Sequence, residues 1–375
     1  MSPTPRGLRR RSAVLLGLAA PFVSRAAHAA IAVTDALGRT VALKAPPERI
    51  VLNFNFEEFT AVAGPAGWDR VAGFSRTLWT DWRPASFKRY LRPIPRLAGM
   101  PDVGSTDDGS FSLEKVLALR PDLVILAEWS FSTLAGPVRQ MEALGIPVLV
   151  IDYNAEIPER HAASTIALGQ VTGNEARGRD LAALYLDRMA DVRRRSAASG
   201  THPAVYLELG QDGPGTVGNT YWQGMWGRLL DQVGARNIAA GHVAKAWGPL
   251  SPEYVLKADP DVIVIAGSSW VGRPNAVITG YDATPELTRE RLAPYARRDG
   301  WAGLKAIRAG ELHAIEHGLC RCLADYTATQ YLAKQLHPEQ FADIDPLAEL
   351  RRFHEQWLPI GFEGCWMTRL APARS

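Results

Sequence analysis

Two stretches of the 375-residue sequence repeat one another without a gap, 139 positions apart. Residues 112–127 and 251–266 both read as a short helix, a Pro-Asp turn and an apolar run. Ser112 and Ser251 stand at N-cap positions, and Pro252 takes the first helical position, where a missing N–H costs nothing. Glu114 and Glu253 fall in the first turn, where the helix dipole favours negative charge. Pro121 and Pro260 end the helices. The runs Leu123-Val124-Ile125-Leu126 and Val262-Ile263-Val264-Ile265 suit central strands of a parallel sheet, buried on both faces. The spacing is too long for a solenoid unit of about 20–50 residues. It fits an α/β fold of two Rossmann-like lobes, each with a parallel-sheet core and the size of an ordinary domain.

A helix that leads into a strand packs antiparallel to it, so it starts at the edge where the strand ends. Open α/β sheets bind ligands beyond that edge. Glu114 and Glu253 are therefore expected near the ligand-facing rims of their lobes. As helix-start carboxylates alone they would each contribute only about 0.3–1 kcal/mol.

Residues 1–30 have the order of an export signal: Arg6, Arg9, Arg10 and Arg11, an apolar run, then Ala27-His28-Ala29 as a cleavage site. Arg10-Arg11-Ser12-Ala13-Val14 resembles a twin-arginine signal but lacks the usual large apolar residue after Ser12, so Sec export stays open. The apolar run is shorter than the ~20 residues of a membrane span. No cysteine stands near the cleavage site, and a periplasmic protein without a lipid anchor is expected. Removing the leader takes away five arginines and no acid, which turns the formal charge from +3 to −2. The basic balance therefore argues for no nucleic acid, and no basic stripe with interleaved aromatics is present. Of Cys320, Cys322 and Cys365, two can pair in an oxidising compartment, the expected disulfide then being Cys365 with one of the others; inert thiols are the alternative.

The first lobe is expected over residues 31–161, with further strands at 50–52, 71–74 and 148–152. The stretch 76–101 is loop-like. Residues 162–199 read as one long helix, a stiff connector unlike a Gly/Ser linker. The second lobe, 200–375, opens on a strand at 205–209 and has its last strand at 311–315, followed by helices. The loop 210–224 holds no complete Gly-x-Gly-x-x-Gly, which excludes a dinucleotide site of that kind.

The order Asp35-x-x-Gly38-Arg39, Pro47-x-Arg49-Ile50-Val51, the two Glu-bearing units, the connector and Ala306-x-x-Ala309-Gly310-Glu311 resembles the periplasmic binding proteins of ABC importers for siderophores, haem and cobalamin. The resemblance covers roughly residues 33–360. It implies a monomer of two lobes joined by a rigid helix, with the ligand in the cleft between them and no cofactor. It also implies an inner-membrane permease dimer with a cytoplasmic ATPase as partners. Glu114 and Glu253 match the positions that dock onto permease arginines.

The loops expected to face the cleft carry Phe56, Trp79, Trp82, Trp129, Tyr221, Trp222, Trp247 and Trp270, with Arg76, Arg83, Arg273 and Arg321 nearby. Aromatic faces and a few cations suit a large planar or anionic chelate, and a ferric siderophore is the ligand expected. His317 and, less so, His242 could ligate haem iron or a bare metal. A zinc or manganese carrier would need three or four clustered histidines and carboxylates, and no resident metal site is expected. There is no His-Glu-x-x-His, Gly-x-Ser-x-Gly or phosphate loop, so no catalytic residues are assigned.

Overall fold

The computed structural model describes residues 1–2 and 31–370, so the leader expected over 1–30 lies outside the described residues save its first two. In the first lobe a parallel sheet has the order Val71–Phe74, Ile50–Leu52, Leu123–Ala127, Val148–Ile151. In the second lobe the order is Met367–Arg369, Leu312–Glu316, Val262–Gly267, Ala204–Leu209, Arg236–Asn237. Only Met367–Arg369 runs antiparallel there. Leaving that strand aside, both sheets place their second, first, third and fourth strands of the chain side by side. The repeated unit supplies the third strand in each lobe, so the 139-residue offset relates topologically equivalent positions. Strand order reverses between the first and third strands, which is where open sheets leave a crevice at their C-terminal ends.

The repeated helices are Leu113–Ala118 and Pro252–Ala258. Ser112 Oγ accepts the Lys115 N–H and Ser251 Oγ accepts the Tyr254 N–H, both at 3.2 Å. Each helix buries a single valine, Val116 or Val255, and leaves its glutamate in solvent. A one-residue anchor holds the helix to the sheet while its first turn faces outward.

The connector differs from the single helix expected over 162–199. It is two helices, Pro158–Thr172 and Glu175–Ala198, broken where Gly173 takes φ 69°, a left-handed cap that suits glycine. They cross closely at Gly169 and Gly178. A Cβ on Gly178 would lie 2.9 Å from the Thr165 carbonyl oxygen and 3.1 Å from Gly169 Cα. The first helix packs on the first lobe through Leu168 and Val171, and Glu175–Ala198 alone is the long connecting helix. Residues 76–101, expected as loop, form helices Arg76–Trp82 and Pro84–Tyr90 and a 3₁₀ turn, Pro95–Gly99. Pro84 opens the second of these, and Trp79 and Tyr90 anchor the pair in the core. The expected disulfide is absent: all three cysteines are free and buried. Cys365 is held in a two-way backbone pair with Gly280, whereas Cys320 Sγ bonds the His317 carbonyl.

Candidate functional site

Residues that follow the strand ends of both lobes meet in one buried layer. From the first lobe, Arg83 pairs with Glu57 at 2.8 Å, and Ser86 Oγ donates to the other Glu57 oxygen at 3.0 Å. From the second, Glu316 accepts from Ser268 Oγ and from the Leu319 N–H. Arg83 also donates to the Gly318 carbonyl oxygen across the gap, at 3.3 Å. Two further links close the lobes: the Val271 N–H donates to the Asp81 carbonyl, and Arg89 pairs with Asp282. Burial works to lower the Arg83 pKa, but Glu57, Glu316 and Glu58 outweigh it and hold the guanidinium charged. Burial raises the Glu58 carboxyl to about 7, with Arg83 pulling against it and Glu57 adding to it. Burial likewise raises Glu316.

Arg321 is the exception in this layer. It is 8% exposed and has no ion pair among the described residues, and its Nε is buried without a partner. Its guanidinium sits 5.0 Å from the Trp82 ring centroid and 5.5 Å from that of Phe54. Burial and the nearby Arg83 both lower its pKa. Trp129 meets Phe54 edge-on at 5.5 Å, and its Nε1–H is another buried donor without a partner. This wall therefore holds unused donors, beside the acceptors of Asn55, Glu57 and Glu58.

His317 follows the strand Leu312–Glu316 and is buried between Trp226, Tyr221 and Trp270. Trp226 Nε1–H donates to His317 Nδ1 at 3.0 Å. Indole nitrogen only donates, so Nδ1 carries the lone pair. Burial, Arg321 and Arg83 push the imidazole pKa well down and keep it neutral. Its proton is then on Nε2, which has no partner among the described residues. His317 offers a hydrogen-bond donor there, and its free lone pair is already taken.

Of the aromatic residues expected at the cleft, Trp82, Trp129, Tyr221 and Trp270 come together around Arg321 and His317. Phe56 and Trp79 do not. They stack on each other at 4.9 Å inside the first lobe, where Trp79 also packs on Trp68 and Tyr90 and bonds Ser86. Trp222 follows the short strand Asn219–Tyr221 and packs against the second-lobe core around Tyr206, Ile263 and Trp301. Trp247 is 54% exposed opposite Tyr221. Arg273 is in solvent, paired with Asp212 at 2.6 Å, and Arg76 bonds the Ala98 carbonyl. His242 is exposed and stacked on Tyr254. Phe54 was not singled out from sequence. A Phe-x-Phe pair after a strand gives no sign of which ring turns inward.

The sequence profile described as periplasmic binding protein matches residues 61–316. The chain belongs to that family. A solved structure of the TroA-like periplasmic binding protein FepB from Veillonella parvula superposes with a TM-score of 0.85. It is 34% identical, over 91% of this chain and 100% of that one. The ABC transporter substrate-binding lipoprotein YvrC of Bacillus subtilis is 22% identical over 84% of this chain and 87% of its own length. The molybdate-binding protein MolA of Haemophilus influenzae is 24% identical over 71% and 74%. The protein is thus the extracytoplasmic solute-binding component of an ABC importer, a non-catalytic carrier that works with a membrane permease and its ATPase.

Proposed function

We propose that the solute is an anionic ferric chelate of the siderophore type, held between the lobes by Arg321, His317 Nε2–H and the indoles of Trp82, Trp129 and Trp270. The observation that carries this reading is Arg321: a buried guanidinium with two aromatic faces beside it and no ion-pair partner among the described residues. Such a group is costly alone and becomes an asset when an anionic ligand brings the missing acceptors. A bare cation would be repelled by Arg321 and Arg83. Haem ligation through His317 is disfavoured by the Trp226 bond, which leaves a proton rather than a lone pair on Nε2. Glu114 and Glu253, exposed and without ion pairs among the described residues, are the proposed permease contacts. The lobes are proposed to divide at the connecting helix Glu175–Ala198.

The spaces between the closed lobes are small. Those beside Glu58 and Glu316, beside Phe54 and Arg321, and beside Ser268 and Tyr281 measure 30, 10 and 30 Å³. Each accommodates a water or two, whereas a chelate needs a pocket of roughly 300 Å³ or more. Capture of a chelate therefore requires the lobes to part. The small spaces favour a second reading, a compact oxyanion, which the same donors would satisfy. Tryptophan fluorescence distinguishes them: ferric catecholate or hydroxamate siderophores should quench it at micromolar concentrations or below. Response to molybdate alone would establish the second reading, and a Soret band with haemin that His317→Ala abolishes would refute both.

A further inference from the structure

Apart from the cleft donors, Glu156, His161 and Asp325 converge where the two lobes join. Glu156 lies in the segment after the strand Val148–Ile151, and His161 on the helix Pro158–Thr172 of the first lobe. Asp325 opens the helix Asp325–Leu336 of the second. All three side chains are fully buried. His161 Nε2 is 3.7 Å from Glu156 Oε2, and its Nδ1 is 3.5 Å from Asp325 Oδ2. Both Glu156 oxygens, both His161 nitrogens and Asp325 Oδ1 have no hydrogen-bond partner among the described residues. From outside the cluster the Tyr185 hydroxyl donates to Asp325 Oδ2, at 3.4 Å, and within it the Glu156 and Asp325 carboxyls stand within hydrogen-bond reach of each other.

Native proteins leave few buried polar atoms unpaired, and five in one place call for a physical cause. The cluster gathers lone pairs from three residues, and a cation satisfies such a set. One ligand atom from each residue can be chosen so that all lie within 4.8 Å of one another. Ligands bound at about 2.0–2.2 Å in a tetrahedral site stand roughly 3.3–3.6 Å apart; the two measured separations run from opposite nitrogens of one imidazole, so the side chains must shift by a small turn to close on an ion. Charge agrees as well: two carboxylates and a divalent ion sum to zero. Glu156 takes φ 55°, a left-handed backbone uncommon outside glycine, asparagine and aspartate. Strain of this kind persists where the surroundings fix it, and here it accompanies a carboxylate turned into the interior.

We propose that Glu156, His161 and Asp325 bind a divalent first-row cation, Zn²⁺ or Mn²⁺, that ties the two lobes together. One imidazole and two carboxylates form a nitrogen–oxygen set suited to these ions. With ligands from both lobes, the ion restrains their separation. This site does not depend on which solute is carried.

The test uses the mature full-length protein, stripped with EDTA, then given Zn²⁺ or Mn²⁺ at about 100 µM and passed through a desalting column. One ion per chain should remain by elemental analysis, and the melting temperature should rise by several degrees, because a ligand bound only to the folded state stabilises it. The near-isosteric variants Glu156→Gln and Asp325→Asn, checked for folding by circular dichroism, should lose both effects. Failure of the wild-type protein to retain either ion or to shift its melting temperature overturns the proposal, whatever the variants do. So does retention of the ion by folded Glu156→Gln and Asp325→Asn. A Glu156→Gln protein that melts higher without any metal effect in the wild type would identify a carboxylate pair sharing a proton instead.

Discussion

Replacing Arg321 by methionine separates what the guanidinium does for the ligand from what it does for the fold. At 8% exposure and without a carboxylate partner among the described residues, the charge is held at a cost. An uncompensated buried ion costs several kcal/mol, and the faces of Trp82 and Phe54 return about 0.5–2 kcal/mol each. Methionine fills a similar volume with no charge. Arg321→Met should therefore stabilise the ligand-free protein by about 1–2 kcal/mol, a rise of roughly 1–3 °C in melting temperature. The same change removes two charge-assisted hydrogen bonds to the solute, worth about 1.5–3 kcal/mol each. Affinity should fall at least ~100-fold. Thermal melts of the ligand-free protein and a fluorescence titration of the bound solute read the two effects separately. A variant that melts lower and binds as tightly as the wild type would make Arg321 a structural residue and refute the reasoning.

Glu114→Ala combined with Glu253→Ala should abolish uptake in cells while leaving solute affinity unchanged in titration, because both side chains stand in solvent on the helix starts. Glu58, with its carboxyl raised to about 7, holds a proton in the folded chain that the unfolded chain, near 4.5, releases. Stability should accordingly decline as pH rises from about 4.5 to 7, and Glu58→Gln should be more stable than wild type at pH 8 by on the order of 2–3 kcal/mol. At pH 4 the two should match, and the difference in denaturant midpoints across that range checks it. Gly178→Val would press a side chain against the Thr165 carbonyl. It should destabilise by about 1–3 kcal/mol, measured by urea unfolding.

The paired helix–strand units carry the fold in the sequence because every local signal in them agrees: a serine cap, a first-turn acid, a Pro-Asp stop and a β-branched run. Those signals are short-range, and the structure keeps all of them. The break at Gly173 was legible too, since glycine followed by asparagine is a helix stop, but the apolar periodicity on either side reads as continuous. The site was legible only in part. Trp79 and Trp82 lie on one short helix, and composition alone does not say that one packs into the core while the other lines the cleft. The protonation of His317 depends on Trp226, 91 residues away in sequence. The Glu156–His161–Asp325 cluster joins residues from two lobes and has no local motif at all.

Native mass spectrometry of the protein isolated from its own periplasm tests the central claim most directly. The account predicts one added mass per chain, matching an anionic iron chelate, retained by the wild-type protein and missing from Arg321→Met. A wild-type protein carrying a haem, or an unmodified retention of its solute in Arg321→Met, would contradict it.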